Sequence, residues 1–504
     1  MKFVHDGGLR LGRWVIGASA ILGATLLAGR LTGLLRELEL AALFGVSRQG
    51  DLAVLLLTLP DLLVNLLLSG GLSAALVPRL KALPRDDAMR LFRQAAASVL
   101  AVFAAAAAIV LVWPSGFFAL LAPGLPAAAL PALGVLAMTV LAIPLTALSG
   151  VTTALLNAHQ QFLVAGCGTL LFNLMVLTGL WIGPGTATPL FWLAAGIAAG
   201  ASLRLLSQVL VLPGGAWAGP TRPLHPDRPF VRAFAAAAGA ASLILLVPVL
   251  VRAMASTVGP GSIATLNYAF KLVELPAGVL VGTITSVALV RLSEHHGAAD
   301  TAGAARELCT GLQRAFFNAA AVCMIGLVFV DSFVGLLLGR GAMGADDLSR
   351  VTTLTRIVLV GLPFGAIAGM VMADLNARQR PQVVMRVTAG CLMSLPLLAL
   401  PGLLRDSEGW LAAAVVGFQV AHAAWLSRAA GVETLGDRGW LNGRMRRCLL
   451  LGAVLAGAVF VIDRGLGLEH DAARVVLALI GLLATLTLSQ RLLGATRGGL
   501  RNRP

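Results

Sequence analysis

Charge is what this chain has least of. Only 12% of its 504 residues are Asp, Glu, Lys or Arg, against about 25% in soluble domains. Apolar residues make up 58%, and mean hydropathy is +0.89. A soluble protein of this length divides into two or more domains with polar surfaces, and there are too few charges here to cover them. The missing polar surface is therefore lipid-facing surface. Cysteine is also sparse. Cys167, Cys309, Cys323, Cys391 and Cys448 stand alone, no CxxC or Cys/His spacing marks a metal or redox centre, and they read as small apolar side chains. Long polar connections are missing too. The longest, near Pro213 to Pro229, is about 18 residues, and a folded extramembrane domain needs at least about 50. No Walker A sequence occurs, so no ATP site and no other cofactor is expected. The first apolar run follows Arg10 and Arg13 but continues past Arg30 and Arg36, so no compact, cleavable signal segment is expected.

What the chain has is a series of apolar stretches punctuated by charge, Gly and Pro. With about 20 residues per crossing, they predict an all-α polytopic membrane protein of fourteen spans. The expected ranges are 14–43, 51–78, 91–113, 127–157, 161–183, 188–212, 230–255, 262–290, 308–338, 348–376, 382–404, 409–428, 447–463 and 473–492. The 38 basic residues divide unevenly among the connections. Twenty-six fall on the side of the N-terminus, 6 on the other and 6 within spans. The positive-inside rule then places both termini in the cytoplasm. The net charge of +15 and a pI near 11.2 are explained by this distribution. There is no dense basic stripe, so nucleic acid is not an expected partner.

A faint internal repeat is present. Leu59 to Leu80 aligns without gaps on Leu272 to Ser293, matching Ser73, Ala75, Leu76 and Val77 to Ser286, Ala288, Leu289 and Val290. Both segments sit in the second helix of a six-helix block. The implied organisation is an N-terminal lobe (1–220, helices 1–6), a C-terminal lobe (221–430, helices 7–12) and two additional helices in 431–504. Such a pair of six-helix lobes encloses a central cavity between them.

A charge at mid-membrane costs about 2.5–3.5 kcal/mol on insertion scales, so each one asks for a reason. The first span carries Arg30, Arg36, Glu37 and Glu39 around Gly29 and Gly33. Six residues on an ideal helix turn the two arginines about 240° apart. They converge on one cavity only if the helix bends or unwinds, for which Thr32-Gly33 offers a place. Arg36 has a second reading, a self-neutralising cluster with Glu37 and Glu39. The eighth span carries Lys271 and Glu274, an i,i+3 pair on one face: a ligand-binding ammonium held by its carboxylate, or a structural ion pair. Asp61 and Asn65 in the second span line a cavity or satisfy backbone freed by Pro60. Cations in an otherwise apolar protein suit an anionic group, phosphate above all. Asp51 is expected as the N-cap of the second span. Arg204, Arg252 and Arg356 are expected to snorkel, Asp374 to pair with Arg378, and His159 and His422 to be packed or interfacial. The outer loops GPGTATP and WPSGFFALLAPG are short and mostly uncharged, so a membrane enzyme with a catalytic loop is not expected.

The opening spans, AGRLTGLLRELELAALFG and DLAVLLLTLPDLLVNLLLSGGLSAALVPRLK, resemble those of the MurJ (MviN) family, lipid II flippases within the multidrug/oligosaccharidyl-lipid/polysaccharide exporter group. Arg30, Gly33, Arg36, Phe44-Gly45, Asp51, Leu59-Pro60 and Val77-Pro78 carry that likeness. In the eighth span, NYAFKLVELPAGVL is similar through Tyr268, Lys271, Glu274, Pro276 and Gly278. The chain departs from the family pattern at Val64, at Ser69-Gly70 and at Phe270. The resemblance implies a flippase of the bacterial cytoplasmic membrane that carries undecaprenyl-diphosphate-linked peptidoglycan precursor outward. Arg30, Arg36 and Lys271 would hold the diphosphate, with Glu274, Asp61 and Asn65 beside them. The expected partners are a lipid-linked saccharide and membrane lipid, and a role beside cell-envelope synthesis proteins stays open. Coupling to the membrane potential or to a monovalent cation is left open too. So is other cargo on the same fold, either another prenyl-diphosphate oligosaccharide or drugs exported by ion coupling.

Overall fold

Hydrocarbon offers no water to peptide groups, so each crossing has to close its own hydrogen bonds, and a helix does this. The computed structural model describes residues 25, 27–68, 71–214, 216–218, 243–432, 442–468 and 470–494, and among them no strand occurs. Helix α1 covers 27–44. It is followed by α2 (Arg48–Leu68), α3 (Gly71–Ala82), α4 (Arg85–Val112), α5 (Pro114–Leu121), α6 (Leu133–Ala158), α7 (Phe162–Ile182) and α8 (Pro189–Val209). The second half holds α9 (Leu243–Ala255), α10 (Ser262–Leu280), α11 (Gly282–Gly297), α12 (Thr301–Leu338), α13 (Ala345–Ala377) and α14 (Pro381–Leu404). Then come α15 (Glu408–Ala430), α16 (Gly443–Leu466) and α17 (Asp471–Gly494). Ten helical runs among the described residues are long and apolar enough to cross a bilayer, with α10 and α11 counted as one.

These elements fall on the fourteen expected spans, with local corrections; the expected starts of the first span, 14–24, and of the seventh, 230–242, lie outside the described residues. WPSGFFALLAPG is not all loop, because Pro114 opens the short helix α5 at a position where its missing N–H costs nothing. The fourth span starts at Leu133 rather than 127, since Pro126 and Pro131 hold the intervening residues in a 3₁₀ turn and extended backbone. Helix α4 starts at Arg85 rather than 91, with Asp86 and Asp87 in its first turn complementing the helix dipole. Helix α12 starts at Thr301 rather than 308, capped by Asp300, whose side chain accepts from Gly303 N at 2.8 Å. The cap of α2 is Ser47, whose Oγ accepts from Gly50 N at 3.1 Å, and Asp51 lies one turn inside, buried.

The chain divides into two compact units, Met1–Val249 and Leu250–Pro504. In the first, α6 is the hub and packs against α2, α3, α4 and α8, while α7 packs against α8. In the second, α13 is the hub and packs against α10, α11, α12 and α15, while α14 packs against α15. The same order of neighbours around the fourth span of each block is the structural counterpart of the sequence repeat. Each hub is sheathed in apolar side chains: Phe92, Leu76, Val151 and Leu155 in one unit, and Leu292, Leu312, Met370 and Leu426 in the other. Helices α16 and α17 lie along α12 through Phe317, Met445, Cys448, Phe329 and Val459. They are tied to each other by Arg474, which donates to Asp463 at 3.0 and 3.1 Å.

Two local devices make the helices fit. Helices α7 and α8 touch backbone to backbone. A Cβ on Gly196 would stand 2.7 Å from Met175 O, and one on Gly200 would stand 2.8 Å from Phe172 O. Small residues permit such approach in lipid. Four of the tight turns share one closure. Gln160, Ala299, Gln379 and Asp406 adopt positive φ between 49° and 61°, and each is followed by an N–H bonded five residues back (for example Arg380 N to Leu375 O, 2.9 Å). This is the Schellman ending, formed here without glycine.

Candidate functional site

Helix α1 runs unbroken through Thr32 and Gly33. It does not unwind there, so the two arginines keep the different faces that helical spacing gives them. Arg36 points into the first unit and is 4% exposed. Its Nη1 donates to Asp61 Oδ1 at 3.0 Å and to Asn173 Oδ1 at 3.1 Å. Its Nη2 donates to Asp61 Oδ2 at 2.6 Å and to Glu37 Oε1 at 2.7 Å. Asn173 Nδ2 in turn donates to Gly29 O at 3.0 Å. One guanidinium thus ties α1 to α2 and α7, with Asp61, 27% exposed, on the open side of the cluster. The Arg36–Glu37 pairing is the self-neutralising reading of the sequence. Asp61 and Asn173 extend that cluster into a bridge between helices. Glu39 is half-buried, and the side chain of Asn65 lies outside the described residues.

Arg30, on the other face, is exposed and makes no ion pair with any described carboxylate. In the second unit Lys271 Nζ donates to Glu274 Oε2 at 2.8 Å, and the Glu274 side chain is 65% exposed. Charged groups exposed on spanning helices face water rather than hydrocarbon. Arg30 and Glu274 are exposed, and Lys271 is half-buried. Pro276 lies one turn before the interruption of the helix at Val281.

The remaining intramembrane charges divide. Arg356 pairs with Asp331 at 2.5 Å in exposed surroundings, and Arg252 reaches Asn267 at 2.8 Å. Arg204 does not snorkel. It is 1% exposed, inside the first unit. Asp374 pairs with Arg378 at 2.7 Å as expected, and it also meets His296 at 3.1 Å. Since Arg378 donates to Ala430 O as well, the cluster fastens the ends of α11, α13 and α15. His422 is packed, bonded to Thr388 and stacked on Phe418, and His159 bonds to Leu155 O. The five cysteines are free. Sequence reasoning missed Asn173 and His296. The available signal for the first was the one amide within helix α7, at its centre.

The family profile for the lipid II flippase MurJ matches residues 40–421, three quarters of the chain. The chain belongs to the MurJ lipid II flippase family. A Burkholderia cenocepacia protein named lipid II flippase MurJ is 26% identical over 391 residues, covering 74% of this chain and 75% of its own. A Rhizobium meliloti protein named probable lipid II flippase MurJ is 23% identical over 492 residues, covering 92% and 90%. Among solved structures, a lipid II flippase MurJ in an inward closed conformation superposes with a TM-score of 0.80 at 17% identity, covering 94% of this chain and 99% of that one. An inward-facing multidrug resistance MATE transporter superposes at 0.66 and 14% identity, covering 81% and 96%. These superpositions show a shared fold. MurJ is a family of transporters rather than catalysts, and this member is a multi-pass membrane protein. Its profile match includes Lys271 and Glu274 and begins just after Arg30 and Arg36.

Proposed function

We infer that this chain moves lipid II, the undecaprenyl-diphosphate-linked peptidoglycan precursor, from the inner to the outer leaflet of the bacterial cytoplasmic membrane. The family match over residues 40–421 carries the reading. A diphosphate cannot cross hydrocarbon bare, so protein groups must replace its hydration. Arg30 and Lys271 are the residues suited to this. Both are cations on spanning helices, one exposed and one partly so. Arg30 presents a fork matched to phosphate oxygens, and Glu274 orients the Lys271 ammonium. Arg36, already committed to Glu37, Asp61 and Asn173, positions α1 and through it Arg30. The scheme is alternating access without a cofactor. Both termini lie in the cytoplasm, and an inside-negative potential favours outward passage of an anion by about 2.3 kcal/mol per charge per 100 mV. Partners of cell-envelope synthesis would meet the short loops.

The test is complementation of a flippase-depleted strain. The intact chain should restore growth, whereas Arg30→Ala and Lys271→Ala should reach the membrane and fail. Failure of the intact chain, in membranes that contain it, would reassign the cargo. Normal growth of both variants would remove the two cations from the mechanism.

A further inference from the structure

Arg204 is the charge that flipping does not use. It lies in the last third of α8, 1% exposed, and its Nε and Nη1 have no hydrogen-bond partner among the described residues. Its setting is closed. The Arg204 side chain lies against the α7 backbone at Gly168, where an added Cβ would stand 3.0 Å from Arg204 Cγ and 3.1 Å from Nε. One turn on, Gln208 is bonded to α6. It accepts from Thr152 Oγ1 and donates to Thr153 Oγ1 at 2.8 Å. Neither Nε nor Nη1 of Arg204 bonds to it. The three helices that form this part of the unit, α6, α7 and α8, contain no Asp or Glu. In α1 and α2, Glu37 and Asp61 are held by Arg36, and no described carboxylate pairs with Arg204.

A buried Lys or His in such a place would shed its proton. Arginine does not, because its guanidinium stays protonated in proteins. An uncompensated guanidinium inside a lipid-embedded bundle is among the costliest groups a fold can hold, and native structures leave very few buried donors unsatisfied. Something must supply the missing acceptor. We propose that the α6–α7–α8 bundle binds a small monovalent anion, of halide size, on Arg204. The closed setting selects for size, since a phosphate headgroup on a lipid chain could not be enclosed there. Thr146, about two turns before Thr153 on α6, has a buried hydroxyl that also lacks a partner among the described residues. The site goes beyond the flippase reading and stands or falls independently of it.

The experiment is thermal unfolding of the full-length protein in detergent, in chloride, bromide or gluconate at constant ionic strength. Ligand that binds only the folded state raises Tm with its concentration. The wild type should gain about 2 °C or more in chloride and bromide over gluconate. Arg204→Met should lose that gain, and in gluconate its Tm should be no lower than the wild type's, because the uncompensated charge is gone. Gly168→Ala, which pushes on the Arg204 side chain, should reduce the gain. A wild-type Tm identical in all three salts would overturn the site, as would Arg204→Met keeping the halide gain. Should Arg204→Met fail to fold, bromide anomalous scattering from the wild type decides: a peak beside residue 204 supports the site, and none refutes it.

Discussion

Two arginines six residues apart on one helix do different work because of where their side chains end. Arg36 is enclosed by two carboxylates and an amide, and removing it leaves buried Glu37 and Asn173, and half-buried Asp61, without their shared cation. Arg36→Met should therefore destabilise the protein by about 3–5 kcal/mol, read as a marked fall in Tm and in membrane yield. Arg36→Lys should recover little, since an ammonium cannot replace a two-pronged fork. Arg30→Ala should leave Tm unchanged, because nothing packs on an exposed guanidinium. Helical spacing made the divergence of the two side chains readable in advance. It could not reveal Asn173, 137 residues further on, because a partner at that distance is set by which helices pack together. The burial of Arg204 was hidden for the same reason. A cation near the end of an apolar run reads as snorkelling until the glycine opposite it, Gly168, is seen to admit the side chain.

Helix boundaries moved where proline and acidic residues intervened, and the turns show which positions carry strain. Gln379 holds φ at +57°, a conformation that costs an L side chain about 1–2 kcal/mol. Gln379→Gly should recover part of that and raise Tm slightly. Gly196→Val should do the reverse. Its side chain would drive against Met175 O, parting α7 from α8, and detergent-solubilised yield should drop sharply. The cap of α12 responds to pH. The Gly303 N–H, helped by His295 and Arg306, holds the Asp300 carboxyl below its usual range. A depressed carboxyl contributes stability above its unfolded pKa and loses it as pH falls through the folded one. The Tm difference between wild type and Asp300→Ala should thus be constant near neutrality and vanish on acidification through the carboxylate range. Span number and order were legible in hydropathy alone. The positive-φ endings were not, because glycine, their usual marker, is absent from all four.

For the molecule as a whole, the distribution of 26 basic residues against 6 makes a topological statement independent of any side-chain contact. A reporter fused after Pro504 should read as cytoplasmic, and one inserted in the 183–188 loop as external. The opposite pattern would invert every outward step proposed above. At this scale the composition was decisive, since 58% apolar residues leave a chain of this length no aqueous alternative. The two-unit organisation was visible only as a weak repeat. Its clear form is the shared order of neighbours around α6 and α13, a property of packing that lipid-compatible sequences, drawn from few residue types, record poorly.

The Arg36 cluster has a mechanical corollary. Three hydrogen bonds at one guanidinium rivet together helices from the start and the later part of the first unit. Helix α2 cannot slide past α1 without breaking two of them, nor α7 past α1 without breaking a third together with the Asn173–Gly29 bond. Whatever motion a working cycle demands of this half, α1, α2 and α7 travel as a single cassette, and the flexing falls to chain that carries no such rivet.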